Sequence, residues 1–325
     1  MKIRLALISF AMLMLTSCSE IKEVNERAFA EAIGIDREGR DYVVSLLLSE
    51  MSEDNIIRYV VSEKGMNVGN ALDKIKNKLP KDLFLGHTKL IVLSQNIDEK
   101  EENSVFSDGN AGISPSVILG YAPKGAESIL YSISENCNDN LNKIFLQAEK
   151  QGNILKNNIV DTHNDGGIIA VLMEEDEKGL DLDGAVKMGD FPKMILEDDC
   201  RIINLILDRL KYFGMNVRGE NGVFYADAEC KKSRIYVSEA GKDLKFTVKL
   251  NCEAEFSPEA YEKSASPERD FKIRLSEEIK KVMKRHSDIL KLDRRVLLKF
   301  PQLSGISEAE LSEIIDSSTV EVVFR

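Results

Sequence analysis

The strongest constraint on the fold is the run Asp243–Phe256. Leu244, Phe246, Val248, Leu250, Cys252, Ala254 and Phe256 alternate with Lys245, Thr247, Lys249, Asn251, Glu253 and Glu255. A strict period of two puts the apolar set on one face of a strand and the polar set on the other. Such a strand belongs to a sheet with one dry and one wet face, the habit of antiparallel sheets. A second long pattern has the other period. Phe271 to Leu290 carries Leu275, Ile279, Val282, Met283, His286 and Ile289 on one stripe, as an amphipathic helix does.

Strands and helices mix along the rest of the chain. Strands are expected at Ala28–Asp36, Tyr42–Glu50, Leu90–Leu93, Val117–Tyr121, Ile168–Met173, Gly184–Met188, Met194–Leu196, Phe224–Glu229, Arg234–Ser238 and Val320–Phe324. Helices are expected at Asn67–Leu79, Glu127–Ile133, Leu141–Lys150 and Cys200–Phe213. This pattern defines an α+β protein, and 325 residues suffice for two or three subdomains. No repeat or low-complexity segment interrupts it. With 7 Pro and 20 Gly the chain is neither disordered nor collagen-like.

The first eighteen residues carry a different message. Lys2 and Arg4 precede Leu5–Leu15, a charge-free run. A bilayer span needs about 20 apolar residues, so this shorter run reads as a secretory signal peptide. Leu15-Thr16-Ser17-Cys18 follows. It resembles a bacterial lipobox, which implies that residues 1–17 are removed. Cys18 would then carry a diacylglycerol thioether and an N-acyl chain such as palmitate. Two acyl chains hold a protein stably on a membrane, where one chain binds only marginally. The formal charge is −11, and cleavage takes away two of its cations. An acidic body is repelled by anionic headgroups, so the lipid must be the anchor. The same charge argues against a nucleic-acid partner.

The search for catalytic chemistry returns little. The three His are His87, His163 and His286, and none sits at a metal-binding spacing. Asp161-Thr162-His163-Asn164-Asp165 reads as a polar loop rather than a metal or acid–base cluster. His87 reads as a hydrogen-bonded structural residue at a strand entry, and His286 as a packing residue. Glu174-Glu175-Asp176-Glu177 and Glu197-Asp198-Asp199 lack the alternating spacing of a calcium loop. Asp198 and Asp199 suit the positive end of the helix they precede. No G-x-S-x-G, P-loop or G-x-G-x-x-G occurs, and Gly34 marks a bulge or a close backbone approach. Cys137, Cys200, Cys230 and Cys252 form no C-x-x-C. In an exported chain they could form two disulfides in three connectivities. Cys252, on the apolar face of its strand, is expected to be a buried thiol.

Three blocks carry a resemblance. The first is Cys18-Ser19-Glu20-Ile21-Lys22-Glu23-Val24-Asn25, followed by Ala28 and Ile33-Gly34-Ile35-Asp36. The second is Leu83-Phe84-Leu85-Gly86-His87-Thr88-Lys89-Leu90-Ile91-Val92-Leu93, and the third is Ser116–Leu130. Together they resemble the Ger(x)C family of spore germination lipoproteins. The stretch Gly184-Ala185-Val186-Lys187-Met188-Gly189 and the long late helix are similar too. The chain departs from the family at Ser19, where Trp is usual, and in having no Trp at all. It also shortens the glycine-rich turn to Leu290-Lys291-Leu292-Asp293-Arg294.

The resemblance implies sheets, mostly antiparallel or mixed, flanked by helices. It implies an N-terminal Ger(x)C domain over 18–190, divisible near 121–165, and a C-terminal one over 191–325. It implies a non-enzymatic C subunit of a nutrient germinant receptor, required for nutrient-triggered germination, with no cofactor besides the lipid on Cys18. Its partners would be the membrane and the polytopic A and B subunits. Its location would be the outer face of the cell membrane, which is the inner membrane of the dormant spore. The alternative is a solute-binding lipoprotein of a transporter, which would need two like doubly wound lobes.

Overall fold

The computed structural model describes residues 26–52, 55–95, 97, 112–114, 116–136, 141–155, 169–176, 179–182, 184–188, 192–240 and 243–325. The leader, Cys18, Cys137, the 161–165 loop and Glu177 lie outside them. The chain divides into two compact units: Met1–Val117 with Lys124–Asn136, and Ile118–Pro123 with Cys137–Arg325.

The first unit is built on β1 (Arg27–Glu38), β2 (Asp41–Ser52) and β3 (Asn55–Gly65), an antiparallel meander. Gly39, at φ +64°, makes the tight turn between β1 and β2 that an L side chain would strain. On its other edge β1 pairs in parallel with β4 (Asp82–Phe84) and then β5 (Leu90–Ser94). Two helices cover this sheet, α1 (Val68–Lys78) and α2 (Ala126–Asn136).

Register shows that they take opposite faces. Gly65, Glu63 and Val61 share a face with Tyr42, Val44 and Leu46. There Gly65 lies so close to α1 that a Cβ would meet the Ala71 backbone at 2.5 Å. The other face presents Gly34, Ser45 and Ser62 side by side on three strands. Over that row lies α2, where Ser62 donates to Glu127 at 2.5 Å. A sheet covered on both sides has core residues on both faces, so Val44 through Leu48 are all buried without alternation. Asn67 caps α1 by accepting from the Asn70 amide at 2.7 Å.

β3 was not expected from the sequence. Its residues Ile56 to Glu63 are half-exposed or exposed, so no buried apolar run marks it. The β2 pairing recruits it instead.

The second unit opens with β6 (Ile118–Ala122), helix α3 (Leu141–Gln151) and β7 (Ile169–Leu172), parallel to β6. The short β8 (Glu174–Asp176) and β9 (Gly179–Asp181) form a hairpin. β10 (Ala185–Lys187) pairs antiparallel with β7, and β11 (Lys193–Ile195) with β10. After α4 (Glu197–Ile206) comes a four-stranded sheet. Its order is β12 (Tyr212–Gly219), β13 (Gly222–Ala240), β14 (Asp243–Phe256) and β15 (Thr319–Phe324). The first three are antiparallel, and β15 joins β14 in parallel.

The β14 alternation is borne out. Phe246, Val248 and Leu250 are fully buried, and Cys252 nearly so. Helices α5 (Pro258–Lys263), α6 (Pro267–Arg285), α7 (Leu292–Lys299) and α8 (Glu308–Ser317) complete this unit. Phe271, Leu275, Ile279, Val282 and Met283 of α6 join the inner faces of β13 and β14 in one core.

Three expectations for this unit are corrected. The strands read at Phe224–Glu229 and Arg234–Ser238 are one strand, β13. Its register slips by one residue between Cys230 and Lys232, so Lys231 is extra. The buried positions move from even (Phe224, Ala226, Ala228, Cys230) to odd (Ser233) across that bulge. The Cys200–Phe213 helix is instead α4, beginning at Glu197 and ending at Ile206, because Asp208 turns at φ +62° and Tyr212 starts β12. Cys252 is not a thiol but is disulfide-bonded to Cys230, directly opposite it on β13 with Cα atoms 4.1 Å apart. Two apolar-face cysteines in cross-strand register are near enough to bond once the compartment is oxidising.

Candidate functional site

The Gly34-Ile35-Asp36 motif acts through the helix beside it. Asp36 stands opposite Val43 near the C-terminal end of β1, close to the start of α2. Its Oδ1 accepts from the Ala126 amide at 2.8 Å and its Oδ2 from the Glu127 amide at 2.9 Å. One carboxylate thus satisfies two of the amides that a helix leaves open and meets the positive end of its dipole. Gly125, at φ +128°, delivers the chain into this position. A Cβ on Gly34 would stand 3.3 Å from Ala126, so the glycine lets the capped end settle on the sheet. The close-approach reading of Gly34 is therefore correct.

The Phe84-Leu85-Gly86-His87-Thr88-Lys89 block connects β4 to β5. The β1 ladder slips between Ala30 and Ala32, and the connection is fastened there. Thr88 Oγ1 donates to the Ala30 carbonyl at 3.3 Å, and the Lys89 amide donates to the Glu31 carbonyl at 2.9 Å. His87 is exposed, and its ring meets those of Phe29 and Phe84 at 5.4 and 5.3 Å. Gly86 lies under the Phe84 ring, where a Cβ would come to 2.8 Å. The contacts of His87 are therefore with aromatic rings.

In the second unit the first turn of α4 places Asp199 against the end of α6. Asp199 Oδ2 receives Arg285 Nη1 at 2.7 Å and His286 Nε2 at 2.8 Å. Burial alone would raise the Asp199 carboxyl, but the bonds from His286 and Arg285 outweigh it and hold the group below its usual value. Burial pushes the His286 imidazole below its ordinary value, more than the Asp199 carboxylate lifts it. The neutral ring donates from Nε2 and leaves Nδ1 buried without a partner. His286 is therefore the polar end of α6 as well as a packing residue. Its partner lies far off in sequence, so no local pattern announces the pair. Burial also pushes the Cys200 thiol well above its ordinary value, which makes it unreactive.

None of this resembles a catalytic centre. Among the described residues no group of three or more His, Cys, Asp or Glu could hold a metal ion. Among them, too, no helix is long and apolar enough to cross a membrane.

Comparison with known proteins adds what the geometry alone lacks. Residues 20–165 match the family described as spore germination protein N-terminal domain. A solved structure, described as the crystal structure of the GerBC protein, shares the fold. The TM-score is 0.52 at 14% identity, over 90% of this chain and 95% of that chain. No curated protein sequence matches the chain. The matched domain and the shared α+β fold support a spore germination protein of the Ger(x)C kind. Residues 20–165 thus carry the N-terminal domain of the spore germination family. The Ger(x)C family is one of germinant receptor C subunits and is not known for enzymatic activity.

Proposed function

We propose that this chain is a lipid-anchored, non-enzymatic subunit of a nutrient germinant receptor. Cys18 carries the lipid on the outer face of the membrane, and polytopic A and B subunits are the neighbours. The observation that carries this reading is the family match, which begins at residue 20, just after the lipobox cysteine. The antiparallel β12–β14 meander is unlike the doubly wound lobe a solute-binding lipoprotein requires. Spores that lack this chain, and any other member of its family, should release dipicolinate slowly when given nutrients. Release at the normal rate would refute the receptor role.

A further inference from the structure

The end of the first sheet at which β1 begins gathers apolar side chains that the core leaves out. Register brings the start of β1, the end of β2 and the start of β3 to this end. Met51 stands opposite Ile56 on one face, and Ile57, opposite Glu50, projects from the other face at the same end; the three are 51%, 67% and 51% exposed. Phe29 and Phe84 lie at the same end, edge to face at 5.8 Å, with the exposed His87 against both. A single exposed apolar residue needs no explanation, but several gathered on both faces of one strand end mark a contact surface.

The chain outside the structure says what that surface meets. From Cys18 to Arg27 is nine residues (27 − 18), which reach at most about 30 Å when fully extended. The tether enters at Arg27, the same end of the sheet as the apolar group. Cations near the tip are already engaged: Arg58 pairs with Glu31 at 3.3 Å, and Lys81 with Glu50 at 2.9 Å. The surface therefore offers apolar side chains rather than a basic patch, which suits the acyl–headgroup boundary of a bilayer.

We propose that this end of the sheet rests against the lipid bilayer, with Met51, Ile56 and Ile57 entering its interfacial layer. The proposal builds on the lipid-anchor reading and adds an orientation to it. The tether limits distance, and the apolar tip fixes which end of the unit faces the lipid.

The chain contains no Trp, so one introduced Trp is a unique reporter. Lipidated Ile56→Trp would be reconstituted into phosphatidylcholine vesicles with brominated acyl chains. Met66→Trp serves as control, because Met66 is 77% exposed and follows Gly65 at the opposite end of the sheet, roughly 30 Å away along the strands. Ile56→Trp should emit at shorter wavelength than in water and be quenched about twofold by bromine, as expected for a depth just below the headgroups. Met66→Trp should emit as in water, without quenching. Equal quenching at both sites overturns the proposal. So does a blue shift at Ile56→Trp without quenching, which would mean that a second copy of the chain covers the tip. Fatty-acid labelling and vesicle flotation on the same samples separate the two readings. A labelled, floating chain whose Ile56→Trp stays water-exposed refutes the orientation alone. An unlabelled chain that does not float refutes the anchor and the orientation with it.

Discussion

At the scale of single residues, side chains that look catalytic by type act as structural fasteners. Asp36 caps α2, and Asp199 binds the end of α6. Asp36→Ala removes both acceptors from the Ala126 and Glu127 amides and should cost about 1 kcal/mol, the usual value of an N-terminal cap. Urea denaturation would show it, with Asp36→Asn intermediate because one oxygen remains. The His286 site makes a pH prediction. Its folded pKa lies below its unfolded value of about 6.5, so the unfolded chain takes up the proton first. The stabilisation is present above that pH and fades as pH falls below it. Asp199 is also depressed, so its share is lost at still lower pH, below about 4. Lys193 and Asp288 lie near enough to His286 to act on its charge, in opposite directions. Melting temperature should therefore fall between pH 7 and pH 5. His286→Gln, which keeps an amide donor for Asp199, should flatten that fall. An unchanged slope in the variant would show that the ring does not control it.

At the scale of elements, periodicity was readable in the long elements with one buried and one wet face. β14 shows this along its whole length, and α6 follows its expected stripe from Phe271 to Met283 but ends at Arg285, short of the expected Leu290. It failed where tertiary pairing overrides pattern. β3 has no buried run of its own, and β13 changes phase at Lys231. α8 did carry a readable signal: Ser307 and Glu310 form a capping box, the Ser-x-x-Glu spacing that marks a helix start. The disulfide was not readable, because four cysteines leave the pairing open until register places Cys230 opposite Cys252. The two cysteines are 22 residues apart, and a loop of that size is worth about 3 kcal/mol on the chain-entropy account. Cys230→Ser with Cys252→Ser should lower the free energy of unfolding by about that amount and the denaturation midpoint with it. Reducing agent should then shift the wild type but leave the double variant unmoved. The buried Cys200 thiol should contribute nothing to the difference.

At the scale of the whole molecule, the leader and the body obey different physics. The family motifs were legible as residues, yet their purpose was not. Gly34, Asp36, Gly125 and Ala126 are separated in sequence, and only the fold shows one helix seated and capped by them. The anchor runs the other way, since the lipobox was legible in four residues while Cys18 lies outside the described part of the chain. Among the described residues no helix can cross a bilayer, and the charge of −11 opposes an anionic surface. On the proposed reading, membrane attachment comes from the acyl chains on Cys18, with the apolar tip at Ile56 too small to replace them. Two chains give stable binding, and a few exposed side chains give weak binding at most. Wild-type chain should therefore partition into the detergent phase of a phase-separating detergent. Cys18→Ala, exported behind an ordinary secretory leader, should move to the aqueous phase and incorporate no labelled fatty acid. Its melting temperature should equal that of the wild-type body, because Cys18 lies outside the elements that form the described core. A Cys18→Ala chain that still enters the detergent phase would mean that protein surface, not lipid, holds this subunit on the membrane.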